Sequence, residues 1–223
     1  MIRKSILLIT LFLIAFVRIL PAQNMYVGGL AGINFAVMEM QTKEVKNVDV
    51  NTVFGFGAIV GIPLFLNTHV QLEPKYLQKG GLIELTENGI DIESESGYLE
   101  LPALLRFPVG QKFHLLAGPT LGFLLSSEME SRVEGINYKA NLKNKLKNLD
   151  FGFTVGAGMH FPVLLGELFI DGRYRYGISN ISEDSDVEFK SGTNILNLTI
   201  EEEDKTFNRG FKLMLGYTIP LGF

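Results

Sequence analysis

Among the charged residues inside otherwise apolar segments, nine share one parity within their segment. They are Glu73 and Lys75, Glu100 and Arg106, Glu167, Asp171, Arg173 and Arg175, and Lys212. Opposite charges that share a face can pair as an ion network, line a selective pore, or trade protons. Three histidines, His69, His114 and His160, add groups that could ligate a metal or act as a base. Their spacing matches no metal motif, and without cysteine there is no thiolate ligand or nucleophile. No glycine loop of the phosphate-cradling kind precedes a helix, and no serine stands in a nucleophile elbow. The chemistry to expect is therefore charge pairing, with no catalytic, cofactor or metal site.

Period two defines the elements that must hold these groups. Eight segments alternate in character: 25–37, 52–62, 68–79, 97–107, 112–125, 149–161, 167–178 and 207–223. Each has about the ten residues that a tilted membrane strand needs. In the fourth, Leu99, Leu101, Ala103, Leu105 and Phe107 oppose Tyr98, Glu100, Pro102, Leu104 and Arg106. In the seventh, Leu168, Ile170, Gly172, Tyr174 and Tyr176 oppose Glu167, Phe169, Asp171, Arg173 and Arg175. A lysine or arginine facing lipid at mid-depth costs about 2–4 kcal/mol, so the charged faces are expected to point inward. The nine charges then form a buried network of four acids and five bases, balanced because an unpaired buried charge is costly. Glycines on the inward faces of the second and sixth segments leave room for the long side chains. The opposite facing, a soluble lipocalin-like barrel with a Leu- and Phe-lined cavity, conflicts with the apolar band on nearly every segment.

Connections after the second, fourth and sixth segments are a few residues long. Those spanning 38–51, 80–96, 126–148 and 179–206 are long and hydrophilic. One-sided loops of this kind are expected of an eight-stranded antiparallel up-and-down transmembrane β-barrel with both termini periplasmic. Acidic clusters at Glu84–Glu95 and Glu201–Asp204, and lysines at Lys139–Lys147, fit solvated loops better than cation sites.

The two ends agree with this layout. Arg3 and Lys4 precede an apolar run from Ile6 to Val17 and a small residue at Ala22, which predicts a signal peptide over 1–22 and a barrel domain over 23–223. Removing that segment takes three cations from a chain of formal charge −4 and leaves −7, which argues against nucleic acid. At the other end Phe211, Leu213, Leu215, Tyr217, Ile219, Leu221 and Phe223 alternate with small or polar residues. A last strand ending in Phe resembles the terminal signal of bacterial outer-membrane barrels, with Tyr217, Ile219, Leu221 and Phe223 as the assembly signal.

The segment Gly97-Tyr-Leu-Glu-Leu-Pro-Ala-Leu-Leu-Arg-Phe107, followed by Leu115-Leu-Ala-Gly-Pro-Thr-Leu-Gly122, resembles the central hairpin of the PorT-like outer-membrane barrels of Bacteroidetes-type bacteria. The resemblance implies an eight-stranded barrel with no catalytic motif and no cofactor. Some members of that family serve gliding and type IX protein secretion. Expected partners are outer-membrane lipid and lipopolysaccharide, the barrel assembly machinery, and an extracellular or secretion-system protein. The expected role is structural or interaction-based through the long loops, with a small solute pore as the alternative. A lipid-modifying enzyme is disfavoured, because the histidines fall at the end opposite the long loops.

Overall fold

The computed structural model describes residues 25–41, 45–65, 67–85, 90–133, 136–143, 145–183, 185–191, 194–200 and 205–222. The expected signal peptide and Phe223 lie outside these. The described residues form thirteen strands: β1 (Tyr26–Gln41), β2 (Val45–Asp49), β3 (Asn51–Pro63), β4 (His69–Leu72), β5 (Lys75–Leu85), β6 (Ile90–Val109), β7 (Phe113–Val133), β8 (Ile136–Asn141), β9 (Leu149–Val163), β10 (Gly166–Gly177), β11 (Ser185–Ser191), β12 (Asn194–Ile200) and β13 (Lys205–Pro220). Among them no helix is long and apolar enough to cross a membrane.

Every pairing is antiparallel, and the principal ones form a closed ring. β1 lies between β13 and β3; β3 pairs β4 and β5, and these pair β6. β6 then joins β7, β7 joins β9, β9 joins β10, and β10 returns to β13. The ring thus passes through eight strand positions, with β4 and β5 sharing one. What divides that position is Pro74, which has no N–H to give a ladder. Its carbonyl still accepts from Ala58 N at 3.0 Å, and Glu73 N donates to Pro102 O at 3.2 Å, so the neighbours stay in register.

Both described ends meet at the side of the short turns, where Tyr26 faces Pro220 and Leu221 N donates to Met25 O at 2.7 Å. Gly110 supplies the left-handed residue (φ 69°) that the tight β6–β7 turn requires. At the other side the strands run past the ends that apolar alternation marks. β1 continues to Gln41, β5 to Leu85 and β7 to Val133, while β6 starts at Ile90. The segments expected as loops therefore contain strands, including β2, β8, β11 and β12. Backbone pairing needs only N–H and C=O groups, so a ladder continues where both faces are polar and the side-chain period falls silent. Asn194–Ile200 pairs with β11 in a hairpin of its own.

Facing is inverted relative to a soluble protein. Phe54, Phe56, Phe113, Leu115, Phe151, Phe211 and Leu215 are exposed, while Arg173, Arg175 and Lys212 are 1–2% exposed. Inside the ring, Tyr26, Leu30, Ile59, Phe169 and Met214 form an apolar layer toward the short-turn end. A soluble lipocalin-like facing is excluded by this distribution.

Candidate functional site

Strand parity brings charged groups from β5, β6, β9, β10 and β13 into one interior. Glu100 stands at its centre. Its Oε2 accepts from Lys212 at 2.6 Å and lies 3.5 Å from Lys75 Nζ, while Oε1 lies 3.1 Å from Lys79 Nζ and 3.2 Å from Arg175 Nε. The Oε1 contacts are ion contacts at angles outside hydrogen-bond geometry. Toward the short turns Glu73 accepts from Lys75 at 2.9 Å and from Arg173 at 2.6 Å. Arg173 also donates to Asp171 at 2.6 and 3.2 Å, and Asp171 Oδ1 lies 2.7 Å from His114 Nε2.

Two members of this cluster escape the sequence reading. Asp150 binds Lys79 at 2.9 Å, Arg175 at 2.8 Å and Asn208 at 2.9 Å. Lys79 additionally lies 4.3 Å over the Tyr98 ring. Both have inward parity, but each stands at the end of its apolar segment, where the pattern looks like the start of a loop. With them the interior holds five acids and six bases among the described residues, where four and five were anticipated.

Glu73, Lys75, Glu100, Asp171, Arg173, Arg175 and Lys212 are thus in mutual contact. Arg106 and Glu167 are not part of that cluster; they stand 3.7 Å apart at the mouth beside the short turns, with the Glu167 side chain 43% exposed. His69, His114 and His160 line the same mouth, the last two with ring centroids 5.7 Å apart. Among the described residues no three His, Asp or Glu are arranged to hold a metal ion. Of the anticipated assembly signal, Ile219 and Leu221 are exposed on the outer face, and Tyr217 donates to Val163 O at 3.2 Å.

Small residues make this density possible. A Cβ at Gly158 would overlap Asp171 Oδ1 and stand 2.7 Å from His114 Nε2. One at Gly156 would come within 2.9 Å of the Arg173 stem.

Outside the ring the charges are arranged differently. On the extensions of β6 and β7, Glu93 faces Glu130 and Glu95 faces Glu128. Burial, and then the neighbouring Glu93, Glu128 and Glu130, push the Glu95 carboxyl above its ordinary range. Lys139 on β8 bonds Glu130, and that contact raises the lysine above its own usual value.

Solved outer-membrane proteins align with most of this chain at low identity. Neisserial surface protein A is 13% identical, with 88% of this chain and 97% of that one covered at a TM-score of 0.40. Ail of Yersinia pestis, solved with the heparin analogue sucrose octasulfate, is 14% identical, with 88% and 100% covered at 0.44. The outer membrane protease OmpT of Escherichia coli is 10% identical, with 90% and 97% covered at 0.46. No curated protein sequence matches this chain. A family model described as an outer membrane protein beta-barrel domain matches residues 21–183, which span β1 to β10. An all-antiparallel sheet closed on itself, apolar outside and charged within, is what that description requires, and the chain belongs to this family of outer-membrane β-barrel proteins.

Proposed function

We propose that the chain is an eight-stranded, up-and-down transmembrane barrel of the bacterial outer membrane, with a plugged lumen. Its role is structural or interaction-based, exercised through the strands and connections beyond the membrane, as an accessory of protein secretion or envelope organisation. The observation that carries the reading is the inverted facing: arginine and lysine buried at 1–2% exposure beneath a continuous outer band of phenylalanine and leucine. On β7 that band runs from Phe113 to Leu125. At about 3.4 Å per residue and a tilt of about 45°, this gives roughly 29 Å, close to the hydrocarbon thickness.

The plugged lumen is supported by the density of the interior. Four acids and five bases contact one another across the ring, and the Tyr26–Phe169–Met214 layer lies toward the short turns. A water-filled pore would leave such groups hydrated instead. The Gly97–Phe107 and Leu115–Gly122 hairpin, on β6 and β7, supports membership of the PorT-like branch and a secretion-related partner. In this orientation both termini are periplasmic, after cleavage near Ala22, and the assembly machinery reads the last strand. We read the protein as non-catalytic, since its histidines gather at the short-turn mouth, away from the outer leaflet.

Planar-bilayer recordings test the plug. Purified protein is expected to give no steady conductance, and stable open channels would replace this reading by a small solute pore. Lipid A mass spectra from cells with and without the protein should coincide. A mass difference abolished by one histidine substitution would make the protein an enzyme.

A further inference from the structure

The short-turn mouth encloses a cavity of about 560 Å³ lined by Tyr26, His69, Arg106, His114, His160 and Glu167. That lies in the range of small-molecule sites, roughly 300–1,000 Å³. We propose that this cavity is a binding site for a small amphipathic anion, its carboxylate or phosphate head on Arg106 and the imidazoles, its apolar body against the turn leucines. A plugged lumen has no need of such a site, and its existence does not depend on whether the lumen conducts.

The first argument is the contrast between arginines. Deeper in the ring, Arg173 has contacts of 2.6 Å to both Glu73 and Asp171, and Arg175 meets Asp150 at 2.8 Å and Asn208 O at 2.9 Å. Arg106 is nearly as buried, yet it lies 3.7 Å from Glu167 and 3.5 Å from His114 Nδ1. Both separations exceed the 2.7–2.9 Å of a good charge-assisted hydrogen bond. A guanidinium offers five donors in a planar fork, a shape that matches a carboxylate or a phosphate edge. Glu167 is 43% exposed and Tyr26 packs 5.7 Å from the guanidinium, so no close carboxylate occupies the fork at the cavity.

The second argument concerns the imidazoles. His114 Nε2 is held by Asp171, which leaves Nδ1 directed toward Arg106. His160 Nδ1 is enclosed and has no hydrogen-bond partner among the described residues. A buried polar atom without a partner is costly. An anionic head at the mouth supplies acceptors for the Arg106 fork.

The third argument is the rim. Leu164 and Leu165 line the cavity although they are 95% and 80% exposed, beside Pro108, Pro162 and Pro220. Leu164 adopts φ 54°, a left-handed conformation that strains any residue with a Cβ. An apolar residue held there at a cost, next to the Arg106 guanidinium, fits a ligand with a hydrocarbon portion.

The chain has three histidines and all three line this cavity, so histidine signals report on it directly. Tag-free protein with isotope-labelled histidine, in detergent micelles, is titrated with hexanoate, hexyl phosphate and neutral hexanol while the ring resonances are followed. Saturable shifts of His114 and His160 with either anion, and none with hexanol, are expected; the tighter anion identifies the head group. Arg106→Gln should weaken the anion at least tenfold, and Arg106→Lys by less. The proposal is overturned if neither anion saturates on the unmodified protein, or if hexanol produces the same shifts. The unmodified protein decides the matter even if the Arg106 variants fail to fold.

Discussion

Glu100 is the residue on which the interior charge balance turns. Three lysines and Arg175 converge on it, drawn from β5, β10 and β13. Removing one member of a buried ion cluster leaves the others uncompensated, at about 3–5 kcal/mol. Glu100→Gln is therefore expected to lower the unfolding free energy, read from urea titration in detergent, by that order. Glu39→Gln, which cuts a partly exposed contact to Arg209, should cost no more than about 1 kcal/mol. Equal effects for the two would show that the interior charges are hydrated. Most of this interior is legible from parity, because a charge at mid-strand has one acceptable side. Lys79 and Asp150 are missed because a charge at the end of an apolar segment is acceptable on either side of the boundary. The looseness of Arg106 could not be read at all, since it depends on distances across the mouth.

At the scale of the strand, legibility stops where the apolar band stops. Inside it, one face meets lipid and the other meets charge, so period two is clear. Beyond it β6 and β7 continue with polar residues on both faces, and the pattern resembles a loop. These extensions carry like charges face to face, Glu95 against Glu128 and Glu93 against Glu130, and directly opposed like charges destabilise a ladder by about 0.2–1 kcal/mol. Burial and three neighbouring carboxylates raise Glu95 above its unfolded value, so its contribution to stability is fully present below the ordinary glutamate range. That contribution is lost as pH rises through the raised value. Glu128→Gln should thus increase amide protection of the β6–β7 extension at neutral pH, and reduce the gain seen on acidification. Hydrogen exchange corrected for intrinsic rate measures both, and an unchanged pH response would refute the coupling.

For the whole molecule, ring closure rests on β1 meeting β13, through a register that runs from Tyr26 opposite Pro220 to Gln41 opposite Lys205. A closed ring with this interior should resist detergent at room temperature and open on heating, which gives a heat-modifiable band on gels. Deletion of Phe223 should reduce assembly in cells far more than deletion of Lys143–Lys147. Comparable losses would mean that the terminal strand carries no special signal. The order of the ring strands and the side of the short turns were legible from segment spacing. The hairpin of β11 and β12 and the short β8 were not, because they lie where neither face is constrained by lipid.

The contact between Lys212 and Glu100 joins groups 112 residues apart, while Lys75 and Lys79 reach the same carboxylate from a neighbouring strand. Until β13 arrives, Glu100 lacks its shortest ion contact and the ring is open to water on that side. Desolvation of the interior and docking of the final strand are then one event, placed late and dominated by distant contacts, which slows folding. Intermediates stalled before that step would keep a wet, charged cleft, and so remain substrates for chaperones in the aqueous space rather than for the lipid phase.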